Sequence, residues 1–198
     1  MITLFRSDRI YSCHEIRQSV VTQVRQLPRM ISAIGEVRTI LRFEFDCEAV
    51  QPLTWLHNQQ ASQKIYWSDR TGTEESAGIL AAKTVQGQGP VNYHSVFDAL
   101  DESLSMDNER IRFYGGFCFD HQQPAGEWDE FGSYRFIIPR FELNRAGGKF
   151  TFAVHICVAE ITPETIDEIL RDVECLDFSR DTQYRNVPRK LSRVDYPS

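Results

Sequence analysis

Ile16, Val20, Val24 and Leu27 recur at intervals of three and four residues, with Arg17, Gln18, Gln23 and Arg25 set elsewhere. That period places the apolar set on one face of an α-helix. Ser12 and Glu15 have the spacing of a capping box, in which each side chain satisfies a free backbone N–H at the helix start. Pro28, lacking an N–H, is expected to close the helix. From Thr39 to Asp46 the period changes to two. Leu41, Phe43 and Phe45 point one way and Arg42, Glu44 and Asp46 the other, which predicts a half-buried strand.

Pro52, suited to a first helical position, opens a short helix carrying Leu53, Trp55 and Leu56. "KIYWSD" reads as a strand ending in a turn at Arg70-Thr71-Gly72. "AGILAAKTV" reads as a strand, with helix an open alternative because of its alanines, before "QGQGP" breaks the chain. A second long helix is expected from the cap Asn92 to Met106, with Val96, Leu100 and Leu104 on one face and Tyr93 and Phe97 beside them. "IRFYGGFCFD", residues 111–120, then predicts a strand with Gly115 and Gly116 at its centre. Glycine weakens a strand interior, so a bulge, a close backbone approach or a ligand surface is required there.

"SYRFIIPRFEL" and "KFTFAVHICV" flank "NRAGG" and read as a hairpin, with Phe150, Phe152, Val154, Ile156 and Val158 sharing one face. Pro139 in the first arm implies an edge or a bulge. The last helix starts at the cap Thr162 with Pro163 behind it and carries Ile166, Ile169, Leu170 and Val173. Beyond Asp177 the chain turns polar. The organisation expected is one α+β region over residues 1–176, with a largely antiparallel sheet and packed helices, and a linker or tail over 177–198.

Composition narrows the chemistry. At 198 residues, 41% hydrophobic and 25% charged, the chain can bury a core of ordinary globular type. The N-terminal "MITLFRSDRIYSCHE" lacks the pattern of a secretory signal, and no apolar run approaches the roughly 20 residues that cross a bilayer, so a cytoplasmic location is expected. A formal charge of −6 argues against general affinity for nucleic acid or an anionic membrane, and leaves room for a small anionic ligand held by a few local cations. Five scattered cysteines (Cys13, Cys47, Cys118, Cys157 and Cys175) do not form a disulfide framework, and Cys118 and Cys157 are expected to be small buried hydrophobes.

Cys118 with His121, and His155 with Cys157, are the pairs nearest to metal-ligand spacing, but three of the four lie inside predicted strands rather than paired loops. His155 is expected instead to be a polar-face or hydrogen-bonded strand residue. No G-x-S-x-G nucleophile elbow and no phosphate-cradling glycine loop occurs. Asp98, Asp101 and Glu102 read as the solvated side of a helix, and the alternating aromatics as core. The residues themselves assign no catalytic, cofactor-binding or metal site.

Taken in order, "PLTWLHNQQASQKIYWSDRTGTEESAGILAA", "RFYGGFCFD", Trp128, Phe131 and "RFIIPRFEL" resemble the N-terminal portion of the isochorismate synthases. These form the menaquinone-pathway branch of the chorismate-binding enzyme family, related to anthranilate synthase component I. The resemblance runs from about Pro52 to Glu142. It implies two sheets packed together with the glycine strand in the layered core, where its glycines serve packing rather than a ligand. It also implies a parent enzyme that isomerises chorismate to isochorismate. There water adds at one ring carbon while a hydroxyl leaves another, a lysine acts as base and a glutamate as acid, and Mg²⁺ is held by two further glutamates.

In that family all of these residues lie downstream of a tryptophan-led helix, past the matching segments. Lys190 in "PRKLSR" does not fit the lysine motif. The resemblance therefore implies that this chain carries no catalytic, cofactor-binding or metal residue and is inactive alone. Chorismate would be met only through a region beyond it. No L-L-E-S-like motif of anthranilate synthase is found; salicylate and aminodeoxychorismate synthases remain open, as do menaquinone and siderophore pathways. A stand-alone interaction module that self-associates through exposed apolar surface is the alternative of a different class.

Overall fold

The structure, a computed structural model, describes residues 3–34, 40–104, 110–119 and 129–179. Its elements in order are β1 (Thr3–Tyr11), α1 (Cys13–Ile34), β2 (Ile40–Cys47), α2 (Pro52–Asn58), β3 (Lys64–Ser68) and β4 (Glu74–Gly87). Then follow α3 (Tyr93–Ser103), β5 (Tyr114–Phe117), β6 (Tyr134–Ala146), β7 (Lys149–Cys157) and α4 (Pro163–Cys175). The strands form one seven-stranded sheet in the order β1-β2-β7-β6-β4-β3, with β5 also paired to β6. Among the described strands only β1 and β2 pair in parallel; the other pairs are antiparallel. This is an α+β fold.

One face of the sheet carries the core. Phe43 and Phe45 of β2, Phe141 and Leu143 of β6, and Phe152 and Val154 of β7 meet Ile16, Val20, Val24 and Leu27 of α1 and Ile169 and Val173 of α4. Trp55 of α2 is fully buried, 5.9 Å edge-on to Phe152 and 6.4 Å from Phe178. Each such ring contributes a few kcal/mol by leaving water, on the order of 25 cal/mol per Å² of apolar surface. The core continues past α4 through Leu176 and Phe178. Gln59 ties this stretch to α2, its side chain donating to the carbonyls of Trp55 at 2.7 Å and Asp177 at 2.6 Å.

Several expectations are corrected. Pro28 does not close α1, which continues to Ile34. A proline costs the helix one backbone hydrogen bond, but Met30 and Ile31 beyond it still pack on the core and hold the last turns in place. Helix α3 ends at Ser103, because Leu104 turns to an extended backbone; Met106 lies outside the described residues. β1 had no counterpart in the periodicity, and "AGILAAKTV" is strand throughout. Pro139 sits opposite Ala81, where the β4–β6 register slips, so the bulge is the answer there. The hairpin turn is Gly147-Gly148, both at positive φ (+55° and +75°), as a two-residue turn between twisted strands demands.

The glycine strand is shorter than its sequence predicts, four residues rather than ten, and only half-buried rather than inside a layered core. Its two glycines differ. Gly115 has φ +152°, and a Cβ there would stand 1.9 Å from the Arg135 carbonyl oxygen; at Gly116 a Cβ would meet nothing within 4 Å. Close backbone approach by β6 explains the first. Nothing in the surrounding packing requires the second.

Candidate functional site

The alternation in β2 defines two faces, but the second is not in water. Arg42 and Glu44 are 2% and 3% exposed, and facing strands add Glu142 and His155 at 1% each. Arg42 and His155 are directly opposite across β2 and β7. The Arg42 Nη1 donates to Glu142 Oε2 at 3.0 Å and also to the His155 Nε2. The His155 Nδ1–H in turn donates to the Pro139 carbonyl at 2.7 Å, which fixes the tautomer that leaves Nε2 free to accept. Arg42 also lies 3.7 Å from Glu44, and Arg110 clamps Glu44 at 2.7 and 3.0 Å. Tyr114, next to Gly115 on β5, reaches across to donate its hydroxyl to Glu142 Oε1 at 2.5 Å.

Electrostatics follow from this packing. Burial, reinforced by the Arg42 charge, pushes the His155 imidazole down to about 4 against the pull of Glu142, so the ring is neutral at physiological pH. Burial works against the Glu142 carboxylate too, but the Arg42 charge and the hydrogen bonds from Tyr114 and Arg42 outweigh it and hold the group below the ordinary range. Burial and the adjacent Glu142 charge drive the Tyr114 phenol well up.

A pH dependence follows for His155. Its folded pKa lies below the unfolded value, so the unfolded chain binds the extra proton between those two values. Stability is therefore complete above about pH 6.5 and falls as pH drops towards 4, by an amount on the order of 3 kcal/mol from this group. Urea unfolding across that window is expected to show the slope, and His155→Gln to flatten it.

Above this buried layer opens a cleft of about 330 Å³, floored by Arg42 and Glu44 and rimmed by Arg110, Arg112, Arg145 and Lys149. Its charges are largely spent on one another. Arg145 pairs with Glu75 at 3.2 Å and Arg112 with Glu74 at 3.8 Å, while Ser76 donates to Asn144 at 2.7 Å and Thr151 to Asp46 at 3.3 Å. A second groove runs between β3 and Arg112–Gly115, where the Arg112 guanidinium stands 5.9 Å from the Trp67 ring centre. Among the described residues lining the two, no nucleophile is set against a free base. Among the described residues no group of three or more His, Cys, Asp or Glu side chains could hold a metal ion.

Of the residues weighed from the sequence, His155 is the hydrogen-bonded strand residue expected, Cys118 is buried, Cys157 half-buried, and Asp98, Asp101 and Glu102 face solvent. His121 and Lys190 lie outside the described residues. Among those described, no helix is long and apolar enough to cross a membrane. The periodicity did not single out Arg42, Glu44, Arg110, Tyr114 and Glu142. The available signal was two charges on β2 facing strands that carry Glu142 and His155 on the same side.

The fold and this charge-paired face define an α+β module of one mixed sheet with helices on its apolar side. The chain belongs to the chorismate binding enzyme family, whose model matches residues 27–197. It is 33% identical over 84 residues to isochorismate synthase 2, chloroplastic, of Arabidopsis thaliana, a match covering 40% of this chain and 14% of that protein. Its fold is similar to that of MenF, the menaquinone-specific isochorismate synthase of Escherichia coli, with a TM-score of 0.54 at 22% identity. That similarity covers 83% of this chain and 35% of the solved chain.

Proposed function

We propose that this chain is the N-terminal, non-catalytic part of an isochorismate synthase, the enzyme that isomerises chorismate to isochorismate for menaquinone synthesis. The observation that carries the reading is the order of matched segments from Pro52 to Glu142 together with the stretch shared with the plant isochorismate synthase. Family membership and the partial span of both relatives agree with it. The role of the described part is to hold a sheet, with one face sealed by helices and the other by buried charge pairs.

Mg²⁺, which such a parent would use, does not fit the residues described here. Glu142 and Glu44 are buried and already hold Arg42, and Arg110 takes both oxygens of Glu44. A cation placed beside them would have to displace a guanidinium. Accordingly, the chain supplied with chorismate and Mg²⁺ is expected to give isochorismate no faster than a chain-free control, by chromatography of the products. Turnover above that control would overturn the non-catalytic assignment.

A further inference from the structure

The ladders set one row of residues across the charged face: Glu44 of β2, Ala153 of β7, Glu142 of β6, Gly78 of β4 and Ile65 of β3. Residues 110–114 reach this row at both ends, Arg110 on Glu44 at 2.7 and 3.0 Å and Tyr114 on Glu142. Between them Arg112 meets Glu74 at 3.8 Å and stands over the Trp67 ring. The Arg110 and Arg112 side chains are half-exposed. Apolar hold is confined to Ile111, in a small cluster with Ile40, Ala82 and Ile138, and to Phe113 beside it. Arg112 and Tyr114 line both the cleft and the groove, so this segment is the wall between them. Past the two glycines the chain is fixed differently. Phe117 lies among the rings of Tyr93, Phe97, Tyr134 and Phe136, 5.0 to 6.1 Å away, and the Cys118 N–H donates to the Ser133 carbonyl at 2.8 Å.

We propose that residues 110–114 form a strap that lifts from the sheet as a unit, bending at Gly116, and joins the cleft and the groove into one trough over β3, β4 and β6. The two sides of the bend are held by different forces. Half-exposed ion pairs are weakened by water and salt, whereas packed rings gain from leaving water, so the charged side lets go first. A segment with little buried apolar surface opens locally while the core stays folded. In the lifted state water takes the place of Tyr114 on Glu142 and of Arg110 on Glu44, so neither carboxylate is left without a donor. The bend also gives Gly116 a reason to be glycine. A Cβ there would meet nothing within 4 Å, so packing does not ask for it, whereas a hinge uses its backbone freedom.

Hydrogen exchange on the full 198-residue chain, followed amide by amide by nuclear magnetic resonance, is the test. The Tyr114 amide, opposite Ile137 in the β5–β6 ladder, is expected to exchange through an opening that the core amides of β2 and β7 do not share. Raising sodium chloride from about 0.05 M to about 1 M is expected to speed that exchange and leave the Cys118 amide unchanged. Arg112→Gln, which removes a half-exposed pair and leaves the buried ones in place, is expected to speed Tyr114 about two- to fivefold at low salt, again without moving Cys118. Gly116→Ala is expected to slow Tyr114 about two- to fivefold, because alanine narrows the lifted state. Exchange of Tyr114 at the same opening free energy as β2 and β7 would overturn the proposal, since the segment would then leave only on global unfolding. So would Tyr114 exchange indifferent to salt and to Arg112→Gln, or Tyr114 and Cys118 accelerating together. An unchanged or faster Tyr114 amide in Gly116→Ala would overturn the bend at Gly116.

Discussion

Arg42→Met is expected to cost about 3–5 kcal/mol of folding stability, read as a lower urea midpoint, because it leaves buried carboxylates without their cation. The side chain is 2% exposed and serves Glu142, Glu44 and His155 at once. Coulomb attraction in this setting does not by itself exceed the cost of removing the charges from water. The large effect comes from what is orphaned: a carboxylate that no solvent reaches. Two comparisons separate that cause from simple loss of volume. Adding Glu142→Gln to Arg42→Met is expected to recover part of the loss, since one of the abandoned charges is then gone. Arg42→Lys is expected to fall between, because a point charge cannot reproduce the planar fork that spans two carboxylates and an imidazole. Equal losses in Arg42→Met with and without Glu142→Gln would mean that the pairing contributes nothing beyond packing.

Gly115→Ala is expected to destabilise by upwards of about 2 kcal/mol, and Gly116→Ala by no more than about 0.5 kcal/mol. The two glycines are adjacent and chemically identical, which makes the contrast informative. At Gly115 a methyl group would enter the space of the Arg135 carbonyl at 1.9 Å, with φ at +152°, where side-chain-bearing residues are strained. Backbone cannot swing away as a flexible side chain would. To admit the methyl, β5 must part from β6, and Tyr114, next in the chain, would lose its hold on Glu142. At Gly116 the same methyl meets open space. Matched effects at the two positions would show that pairing with β6, rather than close approach, decides what β5 tolerates.

Much of this architecture is legible in the residues, and what is not has identifiable physical causes. The helices α2, α3 and α4 announce themselves through Pro52, Asn92 and Thr162 because capping is a local event, decided within a few residues. Pro28 misleads for the same reason. The local rule stops the helix there, whereas Met30 and Ile31 continue to bury apolar surface and tertiary packing wins. β1 escapes the period rule because "TLFRSDRIY" carries no sustained alternation; it is placed by pairing with β2, which no local pattern reports.

The charged face shows a deeper limit. Alternation in Leu41-Arg42-Phe43-Glu44 states that there are two environments, not that one of them is water. What seals Arg42 arrives from positions 100 and 113 residues further along the chain, Glu142 and His155. Glu44 is met by Arg110 from 66 residues away. The family resemblance, in contrast, rests on ordered short segments and survives without any of these contacts being known.

The central claim is that the charged cleft is a scaffold and not a chorismate site, and nuclear magnetic resonance on the isotopically labelled chain tests it most directly. Chorismate with Mg²⁺, added in steps, is expected to leave the amide signals of Arg42, Glu44, Arg110, Tyr114 and Glu142 where they are. The guanidinium and hydroxyl groups of this cluster are already engaged by carboxylates. Saturable shifts at these positions, lost on adding excess unlabelled competitor, would show that the cleft receives the substrate and would contradict the account.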